Sequence, residues 1–308
     1  MIRFRASARR YGLRERIQGL VMVLPPVAVV AVFIWFPVGA AIAYTLGKVG
    51  GPNSVIAGLA QRQHVAPHGS VTTAAYREML SNDHVRTDIW VTIWITLMTV
   101  AIVLVLSWGI ALYARFSGGI LARLLSALSV VPLFIPVVIA SYAILVFYAA
   151  DGFMRSVSYH LGYHSFPTLG YTLTAIVIGE IWVNVPFGVL MMSSGLNSVP
   201  DSLIDAARDS GARLPRIIRS IMLPMNVIPT VIVITFTAIY VLGSFTVPYL
   251  VGPTAPNMLG PSMQNFFQSF NQPQQAQVLA VIVFVLAIGF GTVYVWANVR
   301  AARRSGVA

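Results

Sequence analysis

Glu180 and Asn184 are the residues on which any chemistry inside this chain's apolar runs would rest. Glu180 is the one acid well inside such a run, about nine residues from its outer end, and Asn184 lies one helical turn further on the same face. A lone acid in lipid costs about 2.5–3.5 kcal/mol on insertion scales, so Glu180 must face a bundle interior or water. With Trp182 or Tyr171 nearby, and Tyr240 on a later run, the pair can line a path for a polar solute. It can equally hold two helices together by hydrogen bonding. Other chemistry finds no support. His64 with His68 and His160 with His164 have i, i+4 spacing, but neither pair has an acidic third ligand nearby, and Pro67 disfavours a helix through the first. Nucleophile–base–acid sets and paired carboxylates are missing. Lys48 is the only lysine and follows no phosphate-binding glycine loop, so the chain has no nucleotide site of that kind. Cysteine is absent, which removes disulfides, thiolate metal sites and thiol nucleophiles.

Composition shows what must position these residues. The chain is 57% hydrophobic and 9% charged, with a mean hydropathy of +0.79, whereas soluble domains carry roughly 25% charge. We read an all-α membrane protein, six spans in a single domain over residues 20–298, preceded by a basic segment 1–19 and followed by a tail 299–308. The spans are placed at Leu20–Leu46, Asp88–Ala114, Leu124–Ala149, Tyr171–Leu196, Met225–Val251 and Ala276–Asn298, each long enough to cross a hydrocarbon layer of about 30 Å. The first is too long for the core of a cleavable leader and is expected to be retained. With this arrangement fifteen of the twenty basic residues fall on one side and five on the other, which places both termini in the cytoplasm. The net charge of +11 is thereby explained by topology, and no base-reading motif points to nucleic acid. Pro132 and Pro136 should kink the third span, with that face turned inside the bundle. Gly243, Ser244 and Pro248 should break and end the fifth span near its outer end, where they would form an outer gate. Gly252 to Gln275 reads as an outer loop.

Between the fourth and fifth spans lies a basic island, 197–223, too polar for lipid. Ser198 or Asp201 can cap a short helix that Pro200 helps to start, Gly211 can end it in a left-handed conformation, and Pro215 can open another. Leu203, Ile204 and Ala207 should share its inner side. Within this island Asp205-Ala206-Ala207, then Gly211, then Ile221 and Leu223-Pro224 resemble the EAA loop of the membrane subunits of ABC importers that work with a substrate-binding protein. Tyr76-Arg77-Glu78-Met79-Leu80, followed by Asp83 and Thr92, resembles the approach to the second span in the same family. The resemblance implies a six-span type I importer permease whose loop forms a cytoplasmic coupling helix docked on an ATPase subunit. Asp205, Ala206, Ala207, Asp209, Gly211 and Ala212 would be the docking residues, Asp205 replacing the family's usual Glu. It further implies a second permease subunit, two ATPase subunits that hold ATP and Mg, an extracytoplasmic binding protein, and residence in a bacterial plasma membrane. No catalysis by this chain is expected.

Cargo is less closely defined. Leu242-Gly243-Ser244-Phe245-Thr246-Val247-Pro248-Tyr249-Leu250-Val251-Gly252 resembles the branch that carries polyamines and ferric ion, as does Asp205-Ala206-Ala207-Arg208-Asp209, and the expectation is a spermidine- or putrescine-like solute. Sugar and glycerol-phosphate permeases share the same loop and are the other reading. An ion-coupled secondary carrier using Glu180 as its proton site is a rival from another class.

Overall fold

Runs of apolar residues that must satisfy their own backbone groups become helices. A computed structural model describes residues 13–47 and 71–304, and side chains for 18–47 and 71–300. Among the described residues every regular element is helical. The chain divides into two compact units, Met1–Tyr76 and Arg77–Ala308. The basic residues Arg3, Arg5, Arg9 and Arg10 and the pair His64 and His68 lie outside the described residues.

The first unit contains α1 (Leu13–Val30), a π turn (Ala31–Trp35) and α2 (Phe36–Thr45). Pro25 and Pro26 sit inside α1 rather than at its end. The π turn comes just before Pro37: the Phe36 N–H reaches back five residues to the Ala31 carbonyl, where the next residue has no N–H to give. Together these form a 28-residue apolar helix, Gln18–Thr45. Beyond it the Thr45 hydroxyl lies 2.7 Å from the Tyr76 hydroxyl.

After α3 (Ala74–Ser81), which crosses the unit boundary, the second unit is built on α4 (Asp83–Ser117). Asn82 caps α4 by accepting from the His84 and Val85 N–H groups, and Gly118 ends it at φ +54°. Then follow α5 (Ile120–Val130), a 3-10 turn (Val131–Phe134), α6 (Val137–Phe147), α7 (Phe153–His160) and α8 (Leu173–Asn197). The island forms α9 (Asp201–Asp209), α10 (Leu214–Ile217), a π turn (Ile218–Met222) and α11 (Leu223–Met225). Next come α12 (Val227–Leu242), α13 (Thr246–Val251), α14 (Leu259–Gln264), a π turn (Asn265–Ser269) and α15 (Pro273–Arg304). The helix α8 packs on α4, α12 on α4, α8 and α15, and α13 on α6 and α8.

Among the described residues four helices are long and apolar enough to span, and six segments are if each of two bent pairs counts as one crossing. The third span is bent by 111°, far more than a kink. Pro136 forces Ile135 into an extended conformation, so the chain leaves the helix for a residue before α6 begins. The break also opens outward from this chain: Phe134 is 81% exposed, against the expectation that this face turns inside. The fifth span is bent by 68° at Asn226 and stops at Leu242, with Gly243 as its cap. Pro248 therefore lies within the separate helix α13, where it is buried and does not terminate the span. The stretch expected to be an outer loop carries α14, and Met258 to Ser262 are buried.

Candidate functional site

Two apolar clusters fill the second unit. One gathers Val103, Met192, Leu196, Ile204, Ile217, Met222 and Val233; the other gathers Ile95, Ile176, Val241, Val247, Val251 and Met258. Along α4, α8 and α12 alike, buried polar residues fall between the two: Thr96 and Thr99, Glu180 and Asn184, Thr235 and Thr237. Hydrophobic periodicity explains the clusters, and the polar layer interrupts it at one level in three helices.

Glu180 is completely buried in this layer. The Asn184 amide donates to the Glu180 backbone carbonyl at 2.8 Å and to its carboxylate Oε2 at 3.5 Å. Oε1 has no hydrogen-bond partner, nor do the hydroxyls of Thr99, Thr235 and Thr237. No described ion pair includes Glu180. The Ser244 side chain approaches its carboxylate as a hydrogen-bonding neighbour without completing a bond to Oε1, and Tyr240 stands within electrostatic reach. Beside it, a Cβ on Gly179 would come within 2.6 Å of Val247, so α13 presses directly on α8. Buried acceptors and hydroxyls in this arrangement can exchange hydrogen bonds with a polar guest, because each has capacity left over.

Past Gly243 the chain is held from the far end of α4. Asp88 accepts the Asn257 N–H at 3.0 Å and the Ser262 hydroxyl at 2.5 Å, while Thr92 accepts the Leu259 N–H at 2.9 Å. Asn257 in turn donates to the Pro253 carbonyl at 2.7 Å. The Gly260 backbone lies against the Ser244 carbonyl, where no side chain would fit. A cleft of about 900 Å³ opens beside this latch, bordered by Asn82, His84, Asp88, Thr254, Phe266 and Phe270.

At the other end of α8 the chain turns into the elbow. Helix α9 has no side-chain cap at Pro200; the Ser198 hydroxyl donates instead to the Gly195 carbonyl at 2.7 Å. Asp201 pairs with Arg115 of α4. Gly211 adopts φ +77°, and the Gly211 and Ala212 N–H groups return to the Arg208 and Ala207 carbonyls at 2.8 and 2.9 Å. This is a left-handed helix closure that a glycine allows without strain. Ile204 is buried and Ala207 and Ala212 pack on the nearby cluster. Asp205, Ala206, Asp209 and Gly211 face outward. Leu203 is 44% exposed, so it does not share the inner side with Ile204 as periodicity suggested.

A short helix, a glycine bend and a second helix at one end of a membrane bundle are accompanied by a match over residues 108–305 to the family described as binding-protein-dependent transport system inner membrane component. The chain belongs to this family. Its members are membrane permeases of ABC importers, and this permease is similar to several characterised by name. It is 29% identical over 213 residues, 67% of this chain and 69% of the other, to the sulfoquinovosyl glycerol transport system permease protein SmoG of Agrobacterium fabrum. To the trehalose/maltose transport system permease protein MalF of Thermococcus litoralis it is 25% identical over 290 residues, covering 91% and 93%. Among solved structures it resembles a bacterial ABC transporter involved in import of the acidic polysaccharide alginate, with a TM-score of 0.70 at 15% identity over 94% of this chain and 96% of that one. That likeness is one of fold.

Of the residues singled out from sequence, the permease brings together Glu180, Asn184, Tyr240 and Ser244. It sets two others apart. Tyr171 precedes α8 in a left-handed conformation and is exposed, about 10 Å or more along the helix from Glu180. Trp182 points elsewhere, into a cleft of about 380 Å³ at the break in the third span, with Pro132, Ile135 and Pro136. The ring nitrogen Nδ1 of His160 bonds the Ser156 carbonyl at 2.7 Å, and His164 meets the Tyr159 ring edge-on. Thr96, Thr99, Thr235 and Thr237 were missed, although threonines spaced three or two apart within apolar spans were the visible signal. The Asp88 latch joins residues 169 apart in sequence and has no local signature.

Proposed function

We propose that this permease forms half of the translocation path of an ATP-driven importer for a carbohydrate or a glycerol-linked, hydroxyl-rich solute. The observation that carries the reading is the agreement of the relatives with the site. SmoG and MalF are named for sulfoquinovosyl glycerol and for trehalose/maltose, and the buried layer offers hydroxyls and an amide with spare hydrogen-bonding capacity. A polyamine was expected from the stretches at 242–252 and 205–209. SmoG and MalF are not named for one, and a single buried acid is poor complement to a chain of several positive charges.

Glu180, Asn184 and Tyr240, with the threonines beside them, contact cargo; Gly243, Ser244 and the latched segment behind them close the outer end. The second permease subunit covers the outward-facing break at Phe134. The exposed face of the elbow, Asp205, Ala206, Asp209 and Gly211, sits on one of two ATPase subunits, which hold ATP and Mg. Closure of the ATPase pair draws the elbows together and opens the path toward an extracytoplasmic binding protein, with both termini of this chain in the cytoplasm. The test is the assembled complex in nanodiscs, with its binding protein loaded in turn with disaccharides, glycerol glycosides, spermidine or putrescine. Stimulation of ATP hydrolysis by a carbohydrate-loaded protein supports the reading. Stimulation by polyamines alone refutes the cargo, and uptake by the isolated chain without an ATPase refutes the class.

A further inference from the structure

The elbow continues into a feature that neither docking nor cargo binding uses. Arg213, Arg216 and Arg219 follow one another at three-residue spacing through α10 and its π turn, and with Gly211, Pro215 and Ser220 they line a pocket of about 510 Å³. All three are exposed. The ion pairs of the described residues are Arg86–Asp83, Arg115–Asp201 and Arg208–Asp205, so none of the three is neutralised by a described carboxylate. Three guanidinium groups around one pocket are a receptor for an anion with several acceptor oxygens, because each presents a planar fork that matches phosphate.

The surroundings identify the source of that phosphate. The segment Leu214–Met225 meets α12 at 68°. Since α12 belongs to a membrane span, the segment before the bend runs closer to the bilayer plane than to its normal. It is also amphipathic: Ile217 and Met222 are buried in the bundle, whereas Leu214, Leu223 and Met225 are 44–48% exposed. Exposed apolar side chains flanking a basic pocket, directly before a span, are the signature of a helix seated in the interface.

We propose that Arg213, Arg216 and Arg219 form a binding site for the phosphodiester headgroup of an anionic phospholipid, with Leu214, Leu223 and Met225 against its acyl chains. The site anchors the elbow to the membrane surface. The proposal requires the membrane-spanning family fold but is independent of the cargo.

The complex purified in detergent, incubated with phosphatidylglycerol or phosphatidylcholine and read by native mass spectrometry, provides the test. An arginine near an anionic surface is worth about 1 kcal/mol, or roughly fivefold. Arg216→Gln with Arg219→Gln should therefore lower phosphatidylglycerol retention about 25-fold and leave phosphatidylcholine unchanged. Arg216→Lys with Arg219→Lys, which keeps the charge and the fold, should give an intermediate loss. Arg86→Gln, a charge change at the opposite end of the bundle, should give none. Equal retention of phosphatidylglycerol by the glutamine variant overturns the proposal. So does loss of the ATPase subunits with lipid retained, which would assign the arginines to a protein partner. Displacement of the lipid by millimolar inorganic phosphate would likewise overturn it, assigning the pocket to a free anion.

Discussion

Replacing Asp88 should loosen a segment that lies 169 residues away in the chain. Its carboxylate accepts two hydrogen bonds, from the Asn257 N–H at 3.0 Å and the Ser262 hydroxyl at 2.5 Å. Bonds to a charged group contribute about 1.5–3 kcal/mol each; because Asp88 is only half-buried, the lower figure applies to both. Asp88→Ala should then cost about 3 kcal/mol of local stability, and at about 1.4 kcal/mol per decade the segment should open about 100-fold more often. Asp88→Asn keeps one acceptor and loses the charge, so its effect should be nearer tenfold. Amide hydrogen exchange of 253–262, followed by mass spectrometry in the intact complex, reads this opening directly. Peptides from α8 serve as the internal reference, since no bond of theirs involves Asp88. Exchange of 253–262 within threefold of the wild type in Asp88→Ala would show that the latch does not hold the segment.

Other substitutions test the packing, the elbow and the polar layer. Gly188→Ala places a methyl group against the Ser107 hydroxyl and 3.1 Å from Val103, so it should destabilise by about 1–3 kcal/mol; Ser107→Gly should restore most of the lost thermal midpoint in the double variant. Gly211→Val puts a β-branched residue at φ +77° and should cost at least about 1–2 kcal/mol locally, with reduced binding-protein-stimulated ATP hydrolysis. Ala206→Arg lies on the exposed face of α9 and should leave the thermal midpoint unchanged while abolishing stimulated ATP hydrolysis; normal stimulation would remove Ala206 from the docking surface. Glu180→Gln preserves the size of the buried side chain and should leave assembly intact but slow uptake, whereas full uptake with full coupling would place Glu180 outside the path.

How much of this was legible depends on the range of the interactions. Helix α8 is found within two residues of its expected start and one of its expected end, because its cap, its apolar content and its length are all local. The same is true of Gly211 and Pro215, whose backbone preferences act on their immediate neighbours. Prolines were legible as breaks but not as angles. A kink and the 111° turn at Ile135 differ in whether one residue becomes extended, which depends on what packs against it. The fifth span was drawn too long because Val247, Pro248 and Val251 are apolar and buried, yet their burial comes from contact with α8 and α6 across the break. Leu203 shows the limit of periodicity in a short helix: over nine residues the apolar stripe is narrow, and Ile204 and Ala207 face inward while Leu203 does not.

The positions of three glycines on α8 suggest how an event at the elbow can be felt at α13. At 100° per residue, Gly188 and Gly195 lie on nearly one face and Gly179 on the opposite one. Each is a point of backbone-close contact: Gly188 with Ser107 of α4, Gly195 with Asn226 and Pro229 at the start of α12, and Gly179 with Val247 of α13. Small residues at such crossings let helices approach closely and leave no side chain to rearrange, so relative motion there must be sliding or rigid-body movement rather than repacking. Asn226 is also the hinge of the fifth span, and Ser198, one residue past α8, is bonded back to Gly195. A displacement of α9 is therefore transmitted to α8 at the same level at which the fifth span bends. Along α8 the next polar level is Asn184 and Glu180, and beyond it Gly179 touches α13, the short helix that follows the break at Gly243 and Ser244. The elbow, the polar layer and the α13 contact are thus carried on one helix with close backbone contacts at three levels, and this mechanical continuity is what the proposed coupling to an ATPase subunit would require.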